Sequence, residues 1–60
     1  MRITVSKRAI KAVIKKRNIK PVDGEYQITD DMVIEAHELD LADPPPEGSK
    51  TFEFTEENIA

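Results

Sequence analysis

The stretch "NIKPVDGEYQIT", residues 18–29, joins two segments of opposite charge and decides how they can pack. Pro21 cannot continue a helix, because its ring removes a backbone amide and favours an extended conformation at Lys20. Asp23 and Gly24 form a dipeptide that tolerates the positive φ angles of a tight hairpin turn. The stretch therefore predicts the end of a helix followed by a small hairpin or ordered loop.

The charges of the chain are divided at this stretch. Residues 1–20 contain eight of the nine basic residues and no acidic residue, which gives a formal charge of +8. From Pro21 onward, all twelve acidic residues accompany only Lys50, so this part carries −11. Such asymmetry indicates a basic surface for a polyanion and an acidic remainder that limits or mimics one.

A helix is predicted on each side of residues 18–29. For residues 7–17, Ser6 is a suitable N-cap and the apolar residues recur at helical spacing on one face: Ala9, Ile10, Val13 and Ile14. The second helix, residues 30–42, follows Thr29 as its N-cap and ends before three prolines. Its predicted core face contains Met32, Val33, Ala36 and Leu39. A third side contains Ile34, His37 and Leu41, and this wide apolar coverage predicts contacts on two sides of the helix.

The ends of the chain predict two short strands. The segments "RITV", residues 2–5, and "TFEF", residues 51–54, both alternate polar and apolar side chains. We expect them to pair, because each would otherwise leave backbone amides without partners. A disordered acidic tail over residues 43–60 fits their proline, glycine and glutamate content equally well.

The predicted fold class is α+β, with two helices flanking a short hairpin or wing and a small sheet from the terminal strands. Residues 1–43 form the predicted helix-wing-helix domain, and residues 44–60 form a proline-rich link and an acidic C-terminal segment. Because a chain of 60 residues buries only about 60% of its extended surface, we expect a homo-oligomer. The longest apolar run is too short to cross a bilayer, so we expect a soluble cytoplasmic protein without membrane contact.

This order of elements resembles the small winged-helix DNA-binding domains of phage excisionases and MerR-type regulators. The resemblance covers residues 6–36: a Ser-capped basic helix, Ile-x-Pro, a glycine hairpin, aromatic-x-Ile and a Thr-capped acidic helix. It implies that residues 7–17 enter the major groove and that residues 22–28 form the wing. Family wings commonly carry Arg or Lys near the tip, where this chain has Asp23 and Glu25, which would repel phosphate.

Two other compact helix-loop-helix families are also similar. One is the C-terminal DNA-binding domain of actinobacterial xenogeneic-silencer proteins, whose second helix resembles "VIEAH", residues 33–37. The other is the peripheral subunit-binding domain of 2-oxo acid dehydrogenase complexes. Residues 24–26 stand where the silencer loop has its arginines, and Met32 stands about where the subunit-binding family has a buried Asp.

The basic helix is the first candidate site. With the resemblance, it predicts a small double-stranded DNA-binding accessory or regulatory protein, excisionase-like and of phage or mobile-element origin. Arg8 is the best placed for bidentate base readout. A solvated helix surface is the alternative interpretation of the same residues. The candidate phosphate contacts are Arg2, Lys7, Arg8, Lys11, Lys15 and Lys16.

The acidic half supports an alternative function, a protein-interaction module or inhibitor that binds a host or phage protein. Carboxylates of the second helix, Asp30 and Asp40 included, could mimic the spacing of phosphates, or could only favour solubility. The acidic tail could also fold back on the basic helix and tune its affinity. The candidate partner-binding residues are Asp31, Glu35, Glu38, Phe52 and Phe54.

The sequence contains no residue pattern typical of catalysis. It has no Cys and one His, His37, and it lacks a glycine-rich phosphate loop. Ser6 and Ser49 are explained by a cap and a turn. We therefore expect a protein that is not an enzyme and that needs no cofactor or metal.

Overall fold

The computed structural model describes residues 2–55. In chain order, the elements are β1 (Arg2–Ser6), α1 (Lys7–Lys16), α2 (Asp30–Ala42) and β2 (Thr51–Thr55). The two helices and the two-stranded antiparallel sheet confirm the predicted α+β class and the predicted pairing of the terminal strands. Met1 and residues 56–60, the last part of the predicted acidic tail, lie outside the described residues.

The sheet covers one side of the core. Val5 lies opposite Phe52 and Ile3 lies opposite Phe54. Side chains alternate along each strand, so these four share one face of the sheet. Val5 is fully buried, and Ile3 and Phe54 pack against the core. Phe52 is 43% exposed and lies at the rim of the core.

The core forms where α1 and α2 pack on each other and on β1. It consists of Val5, Ala9, Ile10, Val13, Met32, Val33 and Ala36. Leu39, predicted on the core face of α2, is instead 39% exposed. It lines a shallow groove with Ala9 and Ala12 of α1. These alanine side chains are too short to cover it, and this explains why the prediction for Leu39 was wrong.

The start of α1 has the predicted cap. The Ser6 hydroxyl oxygen accepts a hydrogen bond from the backbone N–H of Ala9 at 3.1 Å. This bond satisfies one of the amides that the first turn leaves without an intrahelical partner. The β-strand conformation of Ser6 also makes it the last residue of β1, so strand and helix join without a loop.

The end of α1 is a Schellman motif. Asn18 has a positive φ of 55°, a conformation that asparagine tolerates better than most residues. Its N–H donates to the carbonyl of Lys15 at 3.2 Å, and the N–H of Ile19 donates to the carbonyl of Ile14 at 3.0 Å. This pair of bonds satisfies late helical carbonyls and turns the chain sharply. Ile19 consequently returns to the edge of the core.

The predicted hairpin is reduced to one turn. Val22 and Glu25 form an isolated bridge with reciprocal backbone hydrogen bonds of 2.7 and 3.0 Å. Asp23 and Gly24 between them both have positive φ, as a type I′ turn requires. Tyr26 lies beyond the bridge, so its ring has no facing strand on which to pack across a hairpin.

The start of α2 differs from that of α1. Thr29 occupies the N-cap position, but its side chain makes no capping hydrogen bond, so that part of the prediction was wrong. Its carbonyl accepts the N–H of Val33 at 3.1 Å, as in any helix. Asp30 and Asp31 in the first turn place negative charge at the positive end of the helix dipole.

Candidate nucleic-acid interface

Asp40 fixes the start of α1 against α2. Its Oδ2 accepts the backbone N–H of Ser6 and its Oδ1 accepts the Ser6 hydroxyl, both at 2.7 Å. Ser6 is 1% exposed, so water cannot replace these bonds easily. We had predicted Asp40 as one of the acids that could mimic phosphate. The structure gives it an intramolecular role that sets the position of the basic helix.

The end of α1 is held to α2 by a shared carboxylate. Lys16 Nζ lies 3.2 Å from Glu35 Oε2, and Arg17 Nη2 lies 2.8 Å from Glu35 Oε1. Arg17 Nε donates to the same oxygen at 3.2 Å. The hydrogen bonds from Arg17 and Lys16 lower the pKa of Glu35 below its ordinary value of 4.5. Lys16, a candidate DNA contact, and Glu35, a candidate partner contact, therefore bind each other.

Both arginines predicted to bind DNA also have internal partners. Arg8 Nη2 donates to the backbone carbonyl of Asp43 at 2.7 Å and lies 3.8 Å from its carboxylate. Arg2 Nε lies 3.0 Å from Glu53 Oε1 across the sheet. Arg8, predicted to read bases, would have to leave the end of α2 to do so.

The remaining three candidates form a separate surface, which we call the lysine face: Lys7, Lys11 and Lys15. They recur every four residues and therefore lie on one side of α1. No described residue forms an ion pair or side-chain hydrogen bond with any of them. The basic residues of α1 are thus divided by their partners: Arg8 and Lys16 contact acidic residues of the same chain, and Lys7, Lys11 and Lys15 have no such contact with a described residue.

A groove lies beside the lysine face, and we call it the lysine groove. Lys11 and Lys15 are exposed along it, whereas Ile14 and Ile19 are partly buried and pack against the core. The Tyr26 ring is 47% exposed. The groove therefore combines an apolar floor with ammonium groups that form no ion pair within the described part of the chain. Its lining residues are Lys11, Ile14, Lys15, Asn18, Ile19 and Tyr26.

The alternative partner-binding residues do not form one site. Asp31 and Glu38 are exposed on α2, whereas Glu35 is occupied by α1. Phe52 and Phe54 lie on the sheet, with ring centroids 6.4 Å apart in an edge-to-face arrangement. Within residues 2–55, no cluster of three or more His, Asp or Glu side chains could hold a metal ion. No helix in that range is long and apolar enough to cross a membrane.

Comparisons of the chain with protein-family models, with curated proteins and with solved structures find no match.

Proposed function

We propose that this chain is a non-catalytic DNA-binding accessory protein that contacts the phosphates of double-stranded DNA through the lysine face. The observation that supports the proposal is the division of cations on α1. Arg8, Lys16 and the C-cap residue Arg17 are paired with carboxylates of the same chain, whereas none of the described residues pairs with the lysine face. A flexible ammonium group with three donors suits phosphate oxygens.

The spacing of the lysine face suits a polymer of phosphates. Lys7 and Lys15 are separated by eight residues of helix, a length of about 12 Å, which corresponds to roughly three to four base-pair steps of duplex. In the winged-helix resemblance, α1 would lie in the major groove with these lysines directed at its phosphate walls. Because lysine acts as a point charge, we expect binding with little dependence on base sequence.

The test is an anisotropy titration of a labelled random-sequence DNA duplex over a series of salt concentrations. Each phosphate that a lysine neutralises contributes a slope of about 0.9 in log affinity against log salt, so one protomer should give at most about 2.7. The variant Lys7→Gln/Lys11→Gln/Lys15→Gln should lose most of the affinity. Lys50→Gln, which removes an exposed lysine that precedes β2 and has no ion pair with any residue in the range 2–55, should bind like the unmodified chain.

Two results would contradict the proposal. One is an absence of binding even at low salt. The other is an equal loss of binding free energy per removed charge in the triple variant and in Lys50→Gln, since that would show a general effect of net charge and no specific surface.

A further inference from the structure

The outer side of α2 carries an apolar ridge that the core does not use. Ile34 is 44% exposed and Leu41 is 68% exposed. They are seven residues apart, so they lie on the same side of the helix, opposite the buried residues of α2. Asp31 and Glu38 are exposed beside them. We call these four residues the acidic ridge, which has an apolar centre and negative charge alongside.

The lysine groove has the complementary character. Ile14, Ile19 and Tyr26 provide apolar surface in the groove, and Lys11 and Lys15 provide positive charge along it. The acidic ridge likewise has apolar side chains, Ile34 and Leu41, with charged groups beside them, but these charges are negative. An amphipathic helix that lies in an apolar groove is a common mode of recognition, and opposite charges at the rim orient the two partners.

We infer that the acidic ridge of one copy of this chain docks in the lysine groove of a second copy. Within one copy the two surfaces cannot meet, because the groove lies beside the end of α1 and the ridge lies on the side of α2 that is turned away from the shared core. Ridge and groove are different surfaces, so the contact is heterologous and joins copies head to tail. The inference rests on the apolar side chains and the opposite charges of the two surfaces and is independent of the proposed DNA binding.

A consequence follows for any anion that uses the same lysines. Docking of a second copy would cover Lys11 and Lys15 and leave Lys7 beside the contact. Self-association and polyanion binding should therefore compete, and a polyanion should release copies from one another.

The first test is sedimentation velocity of the chain without DNA, from about 10 μM to about 1 mM, a range that detects weak contacts. We expect the average sedimentation coefficient to rise with concentration and to fall when salt is added. Lys11→Glu/Lys15→Glu removes the groove and Ile34→Ser/Leu41→Ser removes the ridge, and each variant alone should remain monomeric. Lys50→Glu, a single charge reversal outside both surfaces, should associate like the unmodified chain.

Mixing the two double variants gives the sharper result. One has an intact ridge and the other an intact groove, so a mixture retains one functional contact and should form heterodimers and nothing larger. Such heterodimers would also show that both variants are folded. A monomeric unmodified chain over the whole range, undiminished association of either variant, or a mixture that stays monomeric would each overturn the inference.

A second measurement needs no variant. In a dilution series of amide NMR spectra of the unmodified chain, concentration-dependent shifts should occur at both surfaces, around Ile34 and Leu41 and around Lys15 and Ile19. Shifts confined to one surface, or concentrated instead at the exposed Phe52 of β2, would contradict the head-to-tail contact.

Discussion

The two sides of α1 carry the same kinds of residue and have different surroundings. Lys16, on the side toward α2, meets Glu35, and the long side chain of Arg8 reaches Asp43 just beyond the end of α2. On the other side, the lysine face has no described partner. Lys15 and Lys16 are neighbours in sequence, but a rotation of about 100° along the helix separates their directions. A count of charges in a segment therefore overstates the basic surface that a ligand can use.

The largest effect is expected where α1 is fixed on α2. Asp40→Ala removes two hydrogen bonds to a charged acceptor and leaves the buried amide of Ser6 without its partner. We expect the free energy of unfolding to fall by about 2 to 4 kcal/mol, measured by urea denaturation. Glu38→Ala, which removes an exposed acid of the same helix, should cost less than about 0.5 kcal/mol. Similar losses in both variants would show that Asp40 does not anchor α1.

A smaller difference in the free energy of unfolding is expected between variants at the two helix N-caps, Ser6 and Thr29. Ser6→Ala removes the hydroxyl that accepts from Ala9 and should lower the free energy of unfolding by about 1 to 2 kcal/mol. Thr29→Ala removes a side chain that makes no capping bond, so we expect less than about 0.5 kcal/mol in the same denaturation measurement. A larger loss at Thr29 than at Ser6 would reverse the comparison.

The ion pairs of Glu35 predict a dependence of stability on pH. Because Arg17 and Lys16 lower its pKa in the folded chain, their contribution is complete above the ordinary value of 4.5 and is lost as the pH falls through the lowered pKa. The unmodified chain should therefore be more stable than Glu35→Gln at neutral pH, and the difference should shrink in acid. Urea midpoints at several pH values measure it. A difference that grows in acid would contradict the assigned direction.

The periodicity of polar and apolar residues was sufficient to predict the helices and strands of the fold. Apolar spacing located both helices, alternation located both strands, and the need to pair backbone amides predicted that β1 and β2 meet. The prediction that Leu39 is in the core was wrong because the width of a buried face depends on the opposite helix. There, Ala9 and Ala12 are too small to cover Leu39. The hairpin is limited to one turn between Val22 and Glu25, because a favourable turn does not guarantee strands long enough to continue it.

The candidate site was less predictable. Asp40 and Ser6 are 34 residues apart, and no local pattern indicates that they meet. Which basic residues of α1 have acidic partners could be determined only from the positions of Glu35 and Asp43 in the folded chain. One signal was available for Lys16: on a helical wheel, it lies nearer the buried residues of α1 than Lys11 or Lys15 does. That position favours contact with a packed neighbour over contact with a ligand.

The most direct test of the division of α1 is the salt dependence of DNA binding for Lys15→Gln and Lys16→Gln. The two variants remove the same charge from adjacent positions. The account predicts that Lys15→Gln lowers the slope of log affinity against log salt by about 0.9 and that Lys16→Gln leaves the slope unchanged. Equal slopes in the two variants, or a loss only in Lys16→Gln, would contradict it.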